Sequence, residues 1–234
     1  LMLIPLMGLA IVLAQGYISG TAGLGRSAVI AAMFIAAFLI YMGQKMWRES
    51  VKRDALKAGY DAELAVGQEL DQLIRQGAYV FHDFPADHFN IDHVVIAPHG
   101  VFAVETKGYT KPIDKRGKVN ARMSFDGEVL RFPTFTTREP IEQAKRQADW
   151  LTKWLSSATG SAMHALPILA LPGWYVEQSG VGAVRVFSGP QLNTLLQSLG
   201  AKRLSNEDLQ RAVHQVQQRC QTVIPKHAEA EKAT

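Results

Sequence analysis

Residues 91–96 and 101–107 are two apolar runs rich in β-branched and aromatic side chains, separated by the turn-forming Ala97, Pro98, His99 and Gly100. An antiparallel hairpin is the economical reading of that pattern, and it constrains the fold more than any other feature of the chain. With those four residues as the loop, Ile96 faces Val101 and Asp92 faces Glu105. Directly opposed residues share a sheet face, and alternation puts Lys107 on that face too, one step beyond Glu105. Three ionisable groups therefore converge at one end of two otherwise apolar strands. Charge is costly in such a setting unless it is paired or bound to a metal. On spacing alone, a strand-end ion pair on a solvated rim accounts for Asp92, Glu105 and Lys107 as well as a metal-dependent phosphodiesterase site does.

The wider text carries further signals in a fixed order. Gly59, Tyr60, Asp61, Ala62 and Glu63 open a helical stretch that runs through Leu73. Glu139, Pro140, Ile141, Glu142 and Gln143 lead into a second helix that extends to about Ser157 and buries Ile141, Ala144, Ala148, Leu151 and Leu155. A strand is expected near Leu130 to Phe132 after the turn at Asp126 and Gly127. Further strands are expected at Leu166 to Leu171 and Ala183 to Phe187, then helices at Pro190 to Leu199 and Asn206 to Val223, and a frayed tail from Pro225.

An aspartate followed by Glu-x-Lys at the end of the next strand resembles the PD-(D/E)xK nuclease superfamily. With the acidic opening helix and the Pro-and-Gln helix, residues 57 to about 200 resemble its nuclease-related domain branch, NERD. The resemblance implies an α/β fold, a restriction-endonuclease-like αβββαβ core with a mixed central sheet flanked by helices. It also implies roles. Asp92 and Glu105, with the backbone carbonyl of Thr106, would offer hard oxygen ligands to Mg²⁺, or to Mn²⁺. Lys107 would orient the attacking water or neutralise developing charge. Glu63 would complete the metal shell, and Gln143 would orient phosphate or water. On residue pattern alone, Glu63 and Gln143 read equally as solvated helix residues. Two departures stand out: Ala62 occupies the place where the family usually has glycine, which makes Glu69 the alternative acidic residue, and Ile91 stands before Asp92 in place of proline.

Between Lys107 and Arg122 the chain carries Lys107, Lys111, Lys115, Arg116, Lys118 and Arg122 against one acid, Asp114. A basic flap beside such a site would draw in a phosphate backbone without reading sequence, so Lys111, Lys115, Arg116, Lys118 and Arg122 are expected to contact nucleic acid. The bland alternative is a solvated charged loop. The net charge of +4 and pI near 9.2 suit an anionic partner without requiring one. A zinc site from His82, His88, His93 and His99 is set aside, because alternation turns His93 away from Asp92 and His99 sits in the hairpin turn. Cys220, the single cysteine, excludes an internal disulfide framework.

The first 45 residues form a separate region. Leu1 to Ile18 and Ser27 to Gly43 are free of charge, and Arg26 is the only charged residue before Lys45. The pattern predicts two transmembrane helices joined by residues 16–25. Lys45, Arg48, Lys52 and Arg53 beyond the second span would place the globular part on the cytoplasmic side of a prokaryotic inner membrane. Ala28, Ala32 and Ala36 give a small-residue stripe that suits helix pairing and a homo-oligomer. The expected organisation is thus an anchor at 1–45, a basic linker at 46–56, a nuclease-like domain at 57–200, and a C-terminal helix and tail at 201–234. About 180 residues follow position 55, enough for one domain with its own core.

Two function classes follow. One is a membrane-anchored, divalent-metal-dependent nuclease acting on DNA, with RNA open. The other is a non-catalytic module that keeps the nuclease fold and holds nucleic acid or a protein partner. Strandedness, endo- against exonucleolytic action and sequence preference lie beyond what the sequence specifies.

Overall fold

The computed structural model describes residues 17, 21–114, 116–188 and 203–222. The chain divides into two compact units, residues 1–56 and 57–234. Helix α1 spans Thr21–Asp71, so its turns from Lys57 onward belong to the second unit. In the first unit the side chains of Val29, Met33, Phe34, Leu39 and Ile40 are exposed. The expected transmembrane pair finds no support. The first stretch lies outside the described residues except at Tyr17, and among the described residues no helix is long and apolar enough to cross a membrane. Residues 27–43 rise about 25 Å as a helix, the short end of what spans roughly 30 Å of hydrocarbon. Beyond Gly43 the same helix runs on through Lys45, Arg48, Glu49, Lys52 and Arg53.

The second unit is a mixed α/β fold built on a five-stranded sheet. Strands β1 (Tyr79–Pro85), β2 (Asn90–Ala97) and β3 (Gly100–Thr106) are antiparallel, and β7 (Ala165–Ala170) and β9 (Arg185–Phe187) continue from β3 in parallel, in the order β1-β2-β3-β7-β9. The hairpin register is the one the turn dictates, with Ile96 opposite Val101 and His93 opposite Val104. Val66, Leu70 and Leu73 cover one face, packing on Val95, Phe102, Val104 and Ile168. The other face carries Val94, Ile96, Val101 and Ala103, covered by Ala148, Leu151 and Leu155 of helix α2 (Glu139–Thr159) and by Leu209, Ala212, Val213 and Val216 of helix α3 (Asn206–Thr222). Alternation in the strands and a stripe at 3.6-residue spacing in the helices account for both layers.

Two expectations change. The first core strand is Tyr79–Pro85, and the segment near Leu130 does not join the central sheet. It forms β5 (Leu130–Arg131), which pairs with β4 (Arg122–Phe125) and β6 (Thr136–Thr137) in a second sheet of order β6-β5-β4-β8, completed by β8 (Tyr175–Gln178). The second sheet has its own core, where Met123, Phe125, Leu130, Phe132 and Trp174 meet Ile141 and Ala144 of α2. Each strand of this sheet is two to four residues long, too short for period-2 alternation to declare which sheet it joins. The helix expected at Pro190 to Leu199 and the tail from Pro225 lie outside the described residues.

Candidate active site

The ends of β2 and β3 carry the charged cluster. Asp92 is the third residue of β2, and its Oδ2 accepts a hydrogen bond from the Thr106 backbone N–H at 2.7 Å. Glu105 is buried, at 1% exposure, and both of its oxygens are engaged. Lys107 Nζ lies 2.7 Å from Oε1, and Gln147 Nε2 donates to Oε2 at 2.5 Å. Lys107 is fixed at its own backbone too, because its N–H extends the sheet by donating to the Ala170 carbonyl at 3.0 Å. The hairpin reading therefore places its three charged residues correctly: they occupy one edge, on the face covered by α2.

Electrostatics there is unbalanced. Burial, followed by the negative charge of Glu105 and of Glu63, pushes the Asp92 carboxyl up to about 8, although its Thr106 hydrogen bond and Lys107 pull the other way. Burial disfavours the Lys107 ammonium, but Glu105, by charge and hydrogen bond, outweighs it and holds Lys107 above its usual value. Lys107 thus faces the paired acids Glu105 and Asp92, and Glu63 acts on Asp92 by charge. Such a donor set, all hard carboxylate oxygen with excess negative charge, fits a small divalent cation. Among the described residues no group of three or more His, Cys, Asp or Glu side chains is arranged to hold a metal ion. The fit is therefore that of a paired-carboxylate site, with Glu63 contributing by charge.

How Glu63 reaches this edge can be read from Gly108. A Cβ on Gly108 would collide with the Ala58 carbonyl oxygen and come within 2.8 Å of the Ala62 Cβ. The close approach of α1 to the strand end is therefore possible because residue 108 has no side chain. The Ala62 methyl group is accommodated by the glycine opposite it. Glu63 then lines, with Asp92, a pocket of about 260 Å³ that also includes Gly67, Asp71, His82, Asp83 and His93. Glu69, the alternative, is absent from that lining and accepts from Gln72 at 3.4 Å.

Other expected residues are placed differently. Gln143 is half-buried on α2 and does not reach Glu105; Gln147, one turn later, does. A signal for it existed, since Gln147 falls on the apolar stripe of Ile141, Ala144, Ala148 and Leu151, where a polar residue needs a partner. In the basic segment, Asp114 spends its Oδ1 on the backbone N–H groups of Arg116 and Lys118, at 2.8 Å each. Arg116 and Lys118 are exposed and form no ion pair among the described residues. Arg122 pairs with Glu177 at 3.2 Å and lies 5.5 Å from the Tyr175 ring centre. Lys111 donates to the Pro172 carbonyl at 3.3 Å. Lys115 lies outside the described residues.

The histidines need a correction. His82 and His93 do converge, their Nδ1 atoms 2.8 Å apart, because β1 lies beside β2 and pairs them directly. His82 Nε2 in turn lies 3.2 Å from Asp71 Oδ1. Burial holds His93 down to about 3, so it is neutral. Gly67 leaves room for the pair, since a Cβ there would sit 3.3 Å from His82 Cε1. Missing the strand at Tyr79–Pro85 hid this contact; His88 and His99 do not join it.

Residues 58–172 match the family model of the nuclease-related domain, NERD. No curated protein and no solved structure matches the chain. The NERD match takes in Glu63, Asp92, Glu105, Lys107, Gln143 and Gln147 and ends just past β7. It stops short of the position near 200 that the motif pattern suggests, so β8, β9 and α3 lie beyond the matched segment.

Proposed function

We propose that the NERD segment is a divalent-metal-dependent nuclease that hydrolyses phosphodiester bonds of DNA. The observation that carries this reading is the buried Glu105, clamped by Lys107 and Gln147 beside an Asp92 whose charge is opposed by two neighbouring acids. A purely structural ion pair has no use for the second buried carboxylate, which adds cost. Asp92 and Glu105 would hold Mg²⁺ or Mn²⁺, with the Thr106 carbonyl as a further oxygen donor and Glu63 adding negative charge. When bound, the cation supplies positive charge that polarises the scissile phosphate. Lys107 then presents its ammonium to a phosphate oxygen, neutralising charge as water adds to phosphorus and the P–O bond to the leaving group breaks. Gln147 keeps the Glu105 carboxylate in one orientation, and the exposed Arg116 and Lys118 raise the local concentration of polyanion. The deciding experiment is cleavage of DNA with Mg²⁺ or Mn²⁺ by the wild type and by Glu105→Ala and Lys107→Ala. Each variant should lose cleavage while keeping its fold, and unchanged cleavage in either would remove the assignment.

One observation favours a second reading, a non-catalytic module that binds nucleic acid or a protein partner: both Glu105 oxygens are already engaged within the protein. Binding of DNA without cleavage under any divalent metal would select it. For location we infer a lipid surface as what covers the exposed Val29, Met33, Phe34, Leu39 and Ile40, with Lys45, Arg48, Lys52 and Arg53 facing anionic headgroups on the cytoplasmic side. Co-sedimentation of the full chain with anionic vesicles tests this, and recovery in the supernatant would refute it.

A further inference from the structure

Next to the acidic edge stands a cluster of aromatic rings that the phosphodiesterase reading leaves without a task. Tyr109 follows Lys107 by two residues, and burial raises its hydroxyl pKa against the pull of the nearby Lys107 charge. Its carbonyl accepts from Trp174 Nε1 at 3.2 Å. Its ring meets Phe132 edge-on at 5.0 Å between centres and Phe135 at 5.2 Å. Phe132 and Phe135 stack at 4.5 Å and 18°, and Trp174 closes the group with an edge against Phe132 at 4.8 Å. Trp174 and Phe132 are buried, whereas Phe135 is 37% exposed. A tight turn fixes it, in which the Phe132 N–H donates to the Phe135 carbonyl at 2.8 Å. The result is a rigid aromatic wall with its outermost ring open to solvent.

An outward phenyl ring held this firmly, 5.2 Å from the ring of Tyr109, which follows Lys107 by two residues, is suited to receive a flat apolar face. The surroundings select which one. Lys111 Nζ lies 5.8 Å from the Trp174 ring centre, and the charge of Lys107 reaches Tyr109, so two cations suited to phosphate border the wall; Glu139 and Glu105 are the nearby acids that oppose them. In a duplex each base face is already stacked on its neighbour, so only an unpaired base offers a face to Phe135. We propose that Phe135 is a stacking platform for an unpaired nucleobase, which makes single-stranded nucleic acid the preferred substrate of this site. The proposal rests on the nuclease reading for the phosphate at the Lys107 edge, but the platform itself is a binding property.

The test uses the full chain and three fluorescent oligonucleotides: a single strand, its duplex, and an abasic single strand of equal length. Binding is read by anisotropy in chelator, and cleavage in Mg²⁺ or Mn²⁺. Wild type should bind the base-bearing strand more tightly than the abasic one. Phe135→Ala should lose that preference, a weakening of roughly 5- to 140-fold for one stacked base, and Phe135→Trp should retain it. Abasic binding should be the same for all three proteins, which separates lost stacking from lost folding. Equal binding of base-bearing and abasic strands by wild type, or base-bearing affinity unaltered in Phe135→Ala, overturns the platform. Weakened binding in Phe135→Ala with no cleavage by any protein keeps the platform and removes the nuclease reading. Cleavage by wild type with the same kcat/KM in Phe135→Ala on the single strand does the reverse.

Discussion

Replacing Gly108 with alanine should disturb the seat of Glu63 without touching a charged residue. The added methyl would overlap the Ala58 carbonyl and lie 2.7 Å from its carbon and 2.8 Å from the Ala62 Cβ. Two of those are backbone atoms, so no rotamer change relieves the clash, and α1 must shift. Gly108 is not among the glycines with positive φ, so the cost is steric alone. Overpacking of this kind costs about 2–3 kcal/mol, offset by up to ~1 kcal/mol from the stiffer unfolded chain. The net loss is roughly 1–3 kcal/mol, or about 2–12 °C in Tm for a domain of this size. Gly59, also in α1, provides the matched control: a Cβ there meets nothing within 4 Å. Gly59→Ala should therefore gain roughly 0.5–1 kcal/mol from helix propensity. Thermal unfolding followed by circular dichroism gives the stabilities. Cleavage rates give the consequence at the site, where a displacement on the order of 1 Å costs about a hundredfold. If Gly108→Ala matched Gly59→Ala in both Tm and rate, the account of how α1 is docked would be wrong.

Gln147→Leu should lower cleavage more than Gln143→Leu, because only Gln147 holds the buried Glu105; equal losses would put the orienting role back on Gln143. The same substitution leaves a buried acceptor with one partner fewer, at about 1–3 kcal/mol of stability, which denaturant titration reads. The raised Asp92 carboxyl sets a pH dependence whose sign is definite. Its folded value of about 8 exceeds the ordinary 3.8, so the metal-free protein is favoured by this group below about pH 4 and loses that contribution as pH rises towards 8. Asp92→Asn should flatten the slope, and Mg²⁺ should raise Tm more at pH 8 than at pH 5. A Tm unaffected by Mg²⁺ at every pH would argue against a cation at Asp92.

Much of the site was legible because it lies on one hairpin. Register there depends on loop length and alternation, both local, so the convergence of Asp92, Glu105 and Lys107 needed only residues 90–108. Gln147 was harder. Helical spacing puts it on the same broad face as Gln143, and which of the two meets Glu105 depends on how far α2 slides along the sheet, a quantity set by Leu151, Leu155 and Ala148 packing on Val94 and Ala103. The His82 and His93 contact was lost for a different reason. The segment Tyr79–Pro85 includes His82 and Asp83 in its middle, and Asp83 takes a φ of +50°, breaking the alternation by which strands are recognised.

By itself the sequence determined local chemistry: which strands are apolar, where the turn falls, which charges share an edge, and which helix faces are greasy. These follow from periodicities of two and 3.6 residues, which act over a few residues at a time. Only the tertiary structure decided which helix glutamine touches Glu105, that β5 belongs to a second sheet, and that Gly108 admits α1 close enough to bring Glu63 near Asp92. Each of those depends on contacts between segments tens of residues apart. Their energies come from packing and exclusion of water, which have no period along the chain.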